Sequence, residues 1–315
     1  MHLGSVAAVR SLLSAEQIGD LAVAAFGLER LDWCRFFNFG INDHYRIRAG
    51  GSDYALRVYT EGWRTDDAVQ WELELLDHVR RGLVAAPLPT VDGRHFATID
   101  AVEGRRQVAL FEWVPGPHTW HEHAVEYGET LARLHDASAG FVSGAARAAL
   151  DLDLLVSRPV AVLERSLDGD AIALVRRAAE RVVDSFEATV DGLPTGPCHG
   201  DTHGANANLG PDGIRFYDFD LAAPGPLAYD LAVYRWSVDL HRSDPDAWTS
   251  FLDGYRRRRP VTDAELDAVP TLVLARMVWL LGFWAGTDQT HPGFATIHDQ
   301  LLEPSLALLR RALDD

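Results

Sequence analysis

The first third of the chain alternates polar and apolar positions in short runs, with helical stretches among them. Alternation with a period of two indicates strands, and apolar residues three or four positions apart indicate a helix. A capping box at Ser14–Gln17 predicts one helix, and helical spacing predicts a second over Thr65–Arg81. Strands are predicted on both sides of the second helix, at Trp33–Phe39, His44–Arg48, Tyr54–Tyr59, His95–Ala101 and Gln107–Val114. From the first strand onward the predicted order is β-β-β-α-β-β.

Helical spacing dominates the chain after Pro115-Gly116-Pro117. Helices are predicted at Ala124–Ala137, Val160–Leu167, Asp170–Ala188, Leu227–Leu240, Pro245–Arg257, Thr262–Val269, Thr271–Trp284 and Ile297–Leu313. Because proline lacks the N–H that continues a helix, Pro270 is expected to separate two of them. A turn-rich island, Leu193–Pro226, interrupts the helices and contains a strand-like run at Ile214–Phe219.

These patterns predict an α+β protein with two domains. Residues 1–113 are expected to form a small, β-rich N-terminal lobe, and residues 114–315 a larger, mostly helical C-terminal lobe. A length of 315 residues is sufficient for this arrangement. Hydrophobic residues make up 47% of the chain and charged residues 24%, which is typical of a globular protein rather than a disordered one.

Membrane insertion and secretion are not expected from the sequence. The most apolar run, Leu272–Trp284, is shorter than the roughly 18 residues of a membrane span and contains Arg276. Met1–Ser14 lacks the basic, apolar and small-residue order of a secretory leader. Two cysteines, Cys34 and Cys198, give no disulfide framework. We therefore expect a cytoplasmic protein without a membrane partner.

The charge of the chain argues against a nucleic-acid partner. Its formal net charge is −17, with 46 acidic and 29 basic residues, and a field of that sign repels polyphosphate backbones. Every basic residue other than histidine is an arginine, because the sequence contains no lysine. Mechanisms that require a lysine, such as Schiff-base chemistry or the Walker A phosphate loop, are therefore excluded or must use arginine instead.

The island between the helices carries the residues of a phosphotransferase. Asp201 and Asn206 lie five residues apart, and Asp218-Phe219 follows on the strand-like run. Protein kinases place their catalytic Asp and an Asn at this spacing and add a metal-binding Asp on a later turn. Phosphoryl transfer needs a carboxylate to orient the attacking hydroxyl and oxygen ligands for Mg²⁺. Asp and Asn also favour ordinary turns, but the joint match within one island favours a kinase over a simple loop.

The same residues resemble a known family. His199–Asn206 reads H-G-D-x-H-x-x-N, and with Asp218-Phe219-Asp220 it resembles the aminoglycoside phosphotransferase superfamily, in particular its homoserine kinase type II and bacterial stress-response kinase branch. The likeness extends to a nucleotide loop, a third strand, a hinge and a helix after the metal loop, at Phe39–Tyr45, Tyr54–Tyr59, Leu110–Gly116 and Tyr229–Ala232. The resemblance implies a two-lobed, protein-kinase-like fold that uses ATP and Mg²⁺.

By the same resemblance, Asp201 is the catalytic base or the group that orients the hydroxyl, and Asn206 and Asp218 are the Mg²⁺ ligands. Arg57 stands where relatives carry a phosphate-binding lysine, and Glu72 stands where a helix carboxylate pairs with it. Arginine keeps the positive charge and can bind phosphate in a bidentate manner. Arg57 as a solvated strand residue and Glu72 as a surface helix residue are the alternatives.

The resemblance also assigns the remaining contacts to the nucleotide. Gly40 and Asn42 belong to the nucleotide loop, and Glu112 and Val114 belong to the hinge. Asn42 either helps to present backbone N–H groups to the phosphates or forms a turn. Elsewhere, Asp230 is expected to anchor the catalytic loop through hydrogen bonds.

Substrate recognition in this superfamily falls to the C-terminal helices and the catalytic loop. The candidate residues are His203, Asp220, Arg235, Trp236, Arg276 and Trp279. His203 is either part of the loop scaffold or a substrate contact, and the aromatic residues at helical spacing are often core. Arg235 and Arg276 lie on apolar faces, and a buried guanidinium needs an anionic partner. An internal carboxylate, or a carboxylate or phosphate of the substrate, fills that need.

Three functions remain open at this point. The first is an ATP- and Mg²⁺-dependent kinase that phosphorylates a hydroxyl of a small molecule, either a metabolite or an aminoglycoside-like compound. The second keeps the chemistry but takes a Ser/Thr hydroxyl of a protein or precursor peptide as acceptor. The third is a non-catalytic nucleotide-binding protein, which the lysine-free site permits but the complete set of acidic and amide residues disfavours.

Overall fold

The computed structural model of the chain describes residues 8–80, 82–244, 246–287, 291 and 294–314. Residues 1–7, on which part of the leader analysis rests, lie outside this range. So do Arg81 and Pro245, which were expected to end and to begin predicted helices. The chain divides into two compact units. The first comprises Met1–Val114 and Ser143–Ala146, and the second comprises Pro115–Val142 and Arg147–Asp315.

The first unit is built on an antiparallel sheet. Its elements are α1 (Ala15–Phe26), β1 (Leu31–Phe39), β2 (Asp43–Ala49), β3 (Ser52–Val58), α2 (Asp66–Val79), β4 (Pro87–Leu88), β5 (Ala97–Asp100) and β6 (Arg105–Glu112). The spatial order is β1-β2-β3-β6-β4, and β5 also pairs with β6. The five predicted strands and the helix between them are confirmed. The two-residue strand β4 was not predicted, because a run so short has no period.

Local sequence signals explain where these elements begin and end. Ser14 caps α1 by accepting a hydrogen bond from the backbone N–H of Gln17. Gly50 and Gly51 adopt φ values of 56° and 78°, which only glycine reaches without strain, and they form the turn between β2 and β3. The apolar faces of α1 and the central strands meet in one core, whose buried members include Ile18, Ala22, Ile47, Leu56, Val58, Val108 and Leu110.

A buried group of charges joins the N-terminal segment to the sheet of the first unit. The Asp43 carboxylate accepts hydrogen bonds from Arg10 Nη2 through one oxygen and from Arg106 Nη2, at 2.6 Å, through the other. Arg106 is fully buried and also donates to the backbone oxygens of Tyr59 and Val58. Arg10 Nη1 donates to the Gly40 carbonyl at 3.0 Å. Arg10 thus holds both Gly40 and Asp43, and with them the residues just before β2, which belong to the predicted nucleotide loop.

The second unit is mostly helical. Its elements are α3 (Ala124–Ser138), α4 (Arg158–Ser166), α5 (Gly169–Val190), β7 (Thr195–Cys198), β8 (Ala207–Gly210), β9 (Gly213–Phe216), β10 (Ala223–Pro226), α6 (Ala228–His241), α7 (Ala247–Arg256), α8 (Asp263–Thr287) and α9 (Phe294–Asp314). The strands form two small antiparallel ladders, β7 with β10 and β8 with β9. The predicted strand over Ile214–Phe219 is shorter than expected, because Phe219 begins a 3₁₀ turn.

The prediction that Pro270 separates two helices is wrong. Helix α8 continues through Pro270 from Asp263 to Thr287. A proline inside a helix costs about 3 kcal/mol, since it removes one hydrogen bond and crowds the preceding turn. Helix α8 is apolar around most of its circumference and packs against α4, α5, α6 and α9. Burial on several sides outweighs the local cost.

Helix α8 is also long and apolar enough to cross a membrane by length and composition. In its most apolar 18-residue window, 78% of the residues are buried inside the protein. A helix at the centre of a globular helical unit has this property, because it contacts other helices on all sides. The composition of α8 is therefore accounted for by its place in the core.

Candidate active site

Strand pairing brings the two predicted site loops together. In the ladder of β7 and β10, Cys198 lies opposite Ala223, so the loop that follows β7 and the loop that precedes β10 leave the ladder at the same end. In the second ladder, Ala207 lies opposite Phe216. Asn206, just before β8, and Asp218, just after β9, therefore flank the same end of this hairpin. The two ladders therefore bring these loops into one site, although each of their strands has only four residues.

Close approach of backbone explains two glycines of the catalytic loop, His199–Asn206. Gly200 has a φ of 80°, and a Cβ there would lie 2.3 Å from the carbonyl oxygen of Leu221. A Cβ on Gly204 would lie 2.6 Å from the carbonyl oxygen of Thr119. Both distances are far below contact distance, so only glycine allows this packing. Asp218 has a φ of 63°, a left-handed conformation that Asp adopts more readily than most residues and that is common at functional turns.

Asp230 anchors the catalytic loop, as predicted. Its carboxylate accepts hydrogen bonds of 2.8 Å from the backbone N–H groups of both His199 and Gly200. The His135 Nε2 atom lies 3.0 Å from the same carboxylate, and His135 Nδ1 lies 2.7 Å from the hydroxyl of Tyr255. Asp230, His135 and Tyr255 are all buried. One carboxylate at the start of α6 thus connects α3 and α7 to the loop that carries Asp201.

We expect Asp230→Asn to loosen this loop. The amide would present a donor to backbone N–H groups, and each buried polar group left without a partner costs about 1–3 kcal/mol. The variant should lose stability in urea denaturation and also lose phosphoryl-transfer activity at temperatures where it stays folded. Asp253→Asn on α7 is the control, because the Asp253 side chain lies outside this group of hydrogen bonds. An Asp230→Asn protein with wild-type stability and kcat would contradict the anchoring role.

His199 supports the loop and is not a proton carrier. Its Nε2 donates to the Tyr217 carbonyl at 3.1 Å, and its Nδ1 accepts from the N–H of Asp201. The ring packs against Phe219 with a centroid distance of 4.2 Å. Burial lowers the pKa of His199 below its usual value, despite the nearby carboxylates of Asp230 and Asp201. A neutral imidazole with this tautomer satisfies both hydrogen bonds.

Asp201 lies at the centre of the site with both carboxylate oxygens engaged. Oδ2 accepts from Asn206 Nδ2 at 2.8 Å and lies 3.3 Å from His203 Nε2. Oδ1 forms an ion pair with Arg276 Nη2. Burial raises the pKa of the Asp201 carboxyl, but the charges of His203 and Arg276 outweigh it and hold this pKa well below its usual range. Asp201 is therefore ionised and weakly basic, which suits orienting a hydroxyl better than removing its proton early.

Asn206 and Asp218 provide a donor set that fits a hard divalent cation. Both amide hydrogens of Asn206 point to Asp201, since Nδ2 donates to the Asp201 backbone oxygen at 2.9 Å as well as to Oδ2. The Asn206 Oδ1 atom is thus the oxygen suited to a metal, and Asp218 follows β9 at the same end of the hairpin. Within the described residues, no group of three or more His, Cys, Asp and Glu side chains could hold a metal. A two-ligand site fits Mg²⁺, which keeps waters and substrate phosphates as its other ligands.

In the first unit, the structure brings Arg57 and Glu72 together. Arg57 Nη1 donates to Glu72 Oε1 at 2.7 Å, and the Tyr59 hydroxyl donates to the other Glu72 oxygen at 3.1 Å. The Arg57 side chain is 5% exposed and that of Glu72 is fully buried. The alternatives of a solvated strand residue and a surface helix residue are therefore wrong. Arg57 Nε also donates to His44 Nε2 at 3.3 Å.

The other predicted nucleotide contacts occupy the loop before β2 and the segment after β6. The Asn42 side chain is buried and accepts from the Thr60 N–H at 3.1 Å, which ties the loop to the end of β3. Gly40 N–H donates to the Asn42 carbonyl at 3.3 Å. These contacts are compatible with both interpretations of Asn42, a turn and a loop that presents N–H groups to phosphates. Glu112 is exposed at the end of β6, and Val114 is buried.

The residues predicted to bind substrate separate into two groups. His203 and Arg276 contact Asp201. The guanidinium carbon of Arg276 in turn lies 5.0 Å from the Trp236 ring centroid and 4.8 Å from that of Trp279. The anionic partner required by Arg276 is therefore Asp201.

Arg235 and Asp220 make other contacts. The prediction that Arg235 is buried is wrong, because its side chain is 41% exposed and pairs with Asp239 on the same helix. Asp220 is buried in the 3₁₀ turn after Asp218, and its backbone oxygen accepts from Arg147.

A cavity of about 700 Å³ lies next to this site in the second unit. Trp120 lines it, and the Trp120 ring also stacks on His203 with a centroid distance of 6.3 Å. Four carboxylates line the cavity, those of Glu122, Glu126, Asp244 and Asp246, and within the described residues no arginine does. Burial lowers the pKa of His121, another lining residue, to about 4, so it is neutral at pH 7. The cavity is therefore negative and suits a cationic group.

Sequence reasoning missed several residues that build the site. They are Trp120, His135, Arg147 and Tyr255. Arg147 donates to the carbonyl of Ala222, four residues after Asp218, at 2.6 Å. Arg147 lies in a segment with neither strand nor helix periodicity. His135 and Tyr255 occupy ordinary positions on buried helix faces, where a polar residue among apolar ones was the available signal.

Known proteins resemble this chain in sequence and in fold. A homoserine kinase of Gluconacetobacter diazotrophicus is 30% identical over 290 residues, covering 84% of this chain and 81% of that protein. The solved structure of a microcompartment-associated aminopropanol kinase matches with a TM-score of 0.78 at 24% identity, covering 95% of this chain and 98% of that one. An amicoumacin kinase in complex with AMP-PNP and Ca²⁺ matches with a TM-score of 0.74 at 16% identity, covering 94% of each chain.

These matches confirm the predicted α+β, kinase-like fold. The model of the phosphotransferase enzyme family named APH matches residues 34–269, well over half of the chain. This region contains Arg57, Glu72, Asp201, Asn206 and Asp218, and it confirms the resemblance drawn from the H-G-D-x-H-x-x-N motif. The chain belongs to the phosphotransferase enzyme family.

Proposed function

We propose that the protein is a cytoplasmic kinase that transfers the γ-phosphoryl group of ATP to the hydroxyl of a small amino alcohol. The observation that carries the proposal is the environment of Asp201, an ionised carboxylate held by Asn206, His203 and Arg276 on a glycine-shaped loop. A kinase needs such a fixed carboxylate to align the acceptor hydroxyl. Positioning and electrostatic stabilisation then supply most of the rate.

The chain's own residues would divide the work as follows. Asp201 accepts a hydrogen bond from the acceptor hydroxyl and holds its oxygen for attack. Asn206 and Asp218 would hold Mg²⁺, which neutralises charge on the ATP phosphates. Arg57, fixed by Glu72, would bind phosphate oxygens in place of the usual lysine. The attacking oxygen forms a bond to the γ-phosphorus, the bond to the bridging oxygen of ADP breaks, and the hydroxyl proton leaves through Asp201 or with the phosphoryl product.

The acceptor class is supported by the acidic cavity and by the relatives. The cavity beside His203 is lined by four carboxylates, so an ammonium group would be favoured there. The similar homoserine kinase and the similar aminopropanol kinase are named for acceptors that carry both an amine and a hydroxyl. A compact amino alcohol, rather than a Ser/Thr peptide, fits both observations.

A transfer screen tests the proposal. The purified protein is incubated with Mg²⁺ and labelled ATP and one acceptor: L-homoserine, 1-amino-2-propanol, spectinomycin or a Ser/Thr peptide. We expect an amino alcohol to be phosphorylated, with kcat/KM at least about tenfold higher than for the matched diol 1,2-propanediol, which lacks the amine. EDTA should abolish transfer and excess Mg²⁺ should restore it. Preference for the peptide, equal use of the diol, or no transfer to any acceptor would each overturn the proposal.

A further inference from the structure

The guanidinium of Arg276 makes several contacts besides its ion pair, although its buried Nε has no hydrogen-bond partner among the residues that the structure describes. It projects from the middle of α8, is 2% exposed, and lies between the rings of Trp236 on α6 and Trp279 on α8. Nη2 pairs with Asp201 Oδ1, and Nη1 donates to the Gly200 carbonyl at 3.3 Å. Two contacts thus go to the catalytic loop and two to aromatic faces, and each fixes the plane of the guanidinium.

Counting acceptor sites on Asp201 shows what this arrangement leaves available. An ionised carboxylate offers about four lone-pair sites. Asn206 and His203 take the two sites on Oδ2, and Arg276 takes one of the two on Oδ1. The Asp201 side chain is 16% exposed, and by this count its one remaining lone pair is on Oδ1. A hydroxyl that hydrogen-bonds to Asp201 therefore binds the same oxygen that Arg276 holds.

We propose that Arg276, clamped between Trp236 and Trp279, is a positioning residue that fixes the Asp201 carboxylate so that one lone pair of Oδ1 faces the acceptor hydroxyl. The inference rests on the proposed kinase function and adds a requirement to it. Without Arg276, only the hydrogen bonds of Asn206 and His203 to Oδ2 would hold the Asp201 carboxylate, and the position of Oδ1 would be less well fixed. A misplacement of about 1 Å at a reacting group can cost about 100-fold in rate.

The position of Arg276 also argues against a second role as a binding site for an anion of the substrate. Its two terminal nitrogens are already engaged by Asp201 and Gly200. Because the Arg276 side chain is only 3% exposed, a substrate carboxylate has little access to its remaining N–H groups, and separating Arg276 from Asp201 would leave a charge without compensation in a largely buried site. Arg276 is therefore assigned to Asp201.

Kinetics of Arg276 variants test the proposal with the best acceptor from the screen. Arg276→Met should lower kcat about 100-fold while KM for Mg·ATP stays within about threefold, because the nucleotide residues are untouched. Arg276→Lys should recover part of the loss, since the charge returns without the planar fork. Trp279→Leu, which removes one side of the clamp but keeps the ion pair, should lower kcat about tenfold. An Arg276→Met enzyme that keeps kcat within about threefold of wild type would overturn the proposal.

Two matched controls separate positioning from general stability. Arg258→Met removes an arginine paired with Asp136 on the surface, and Trp248→Leu removes a half-buried tryptophan stacked on Phe251. Both should keep kcat within about twofold. Equal losses in these controls and in the Arg276 and Trp279 variants would show a stability effect and contradict the assignment.

A crystal structure of Arg276→Met gives a readout that does not depend on the acceptor. The proposal predicts that the Asp201 carboxylate rotates or takes two orientations in the variant, while the Asp230 hydrogen bonds to the loop remain. An Asp201 carboxylate in its wild-type orientation would overturn the inference even if activity fell. If the wild-type enzyme phosphorylated no acceptor while the carboxylate still reoriented in the variant, the proposed function would fail and the positioning of Asp201 by Arg276 would stand.

Discussion

Asp201→Asn is expected to lower kcat for phosphoryl transfer by roughly 10²–10⁴-fold, the range that a positioned acid–base group supplies. The amide is nearly isosteric with the carboxylate, but it brings two donors into a position where Asn206, His203 and Arg276 already donate. It also removes the negative charge that compensates Arg276. KM for Mg·ATP should remain within about threefold, because Asn206 and Asp218 keep their oxygens.

Steady-state kinetics with the best acceptor, together with nucleotide binding measured by calorimetry, check this expectation. Asp212→Asn is the matched control. It makes the same chemical change at a residue that is exposed in the turn between β8 and β9, outside the catalytic loop. Its kcat should equal that of the wild type. Transfer by Asp201→Asn at a rate near that of the control would remove the proposed mechanism, and a loss of nucleotide binding would show that Asp201 serves the cofactor instead.

The candidate site was predictable from the sequence to the extent that its residues lie close together in the chain. Asp201 and Asn206 belong to one short loop, so their spacing alone suggested a shared task. The match of Arg57 with Glu72 came from resemblance, and the structure shows the contact at 2.7 Å. By contrast, Arg276 meets Asp201 across 75 positions, and nothing in either segment specifies that pair.

The periodicity of the sequence could not show which arginines are buried or where short strands pair. Arg235 and Arg276 both follow apolar neighbours on a helix, yet one is 41% exposed beside Asp239 and the other is enclosed by two indoles. Strands β7 and β10 contain Pro197, Pro224 and Pro226, which argue locally against strands. They pair because each ladder has only two strands, so the missing N–H groups can face outward. Tertiary packing likewise explains why α8 continues through Pro270, although local rules treat a proline as a helix end.

The buried charges of the first unit lead to the largest expected change in stability. Asp43→Ala would leave Arg106, which is fully buried, and Arg10 without their shared carboxylate. Breaking a buried ion pair by removing one partner costs about 3–5 kcal/mol. Glu103, whose Oε1 lies 3.3 Å from Arg106 Nη1, would remain and compensate part of the charge, so the loss should lie at the lower end of this range. We expect this loss in the free energy of unfolding measured by urea denaturation. Asp92→Ala, which removes an exposed pair with Arg94, should leave the free energy of unfolding nearly unchanged.

A double variant separates charge compensation from packing. If the cost of Asp43→Ala comes from uncompensated charge, replacing Arg106 by Met in the same chain should recover part of the lost stability, since an apolar side chain of similar length needs no partner. If the two losses simply add, the group stabilises the unit through packing and the electrostatic account is wrong. Because Arg10 also holds the Gly40 carbonyl, the single variant should raise KM for Mg·ATP wherever it remains folded. The double variant leaves Arg10 without Asp43 and should keep this defect, so that stability and nucleotide affinity respond separately to the same group of residues.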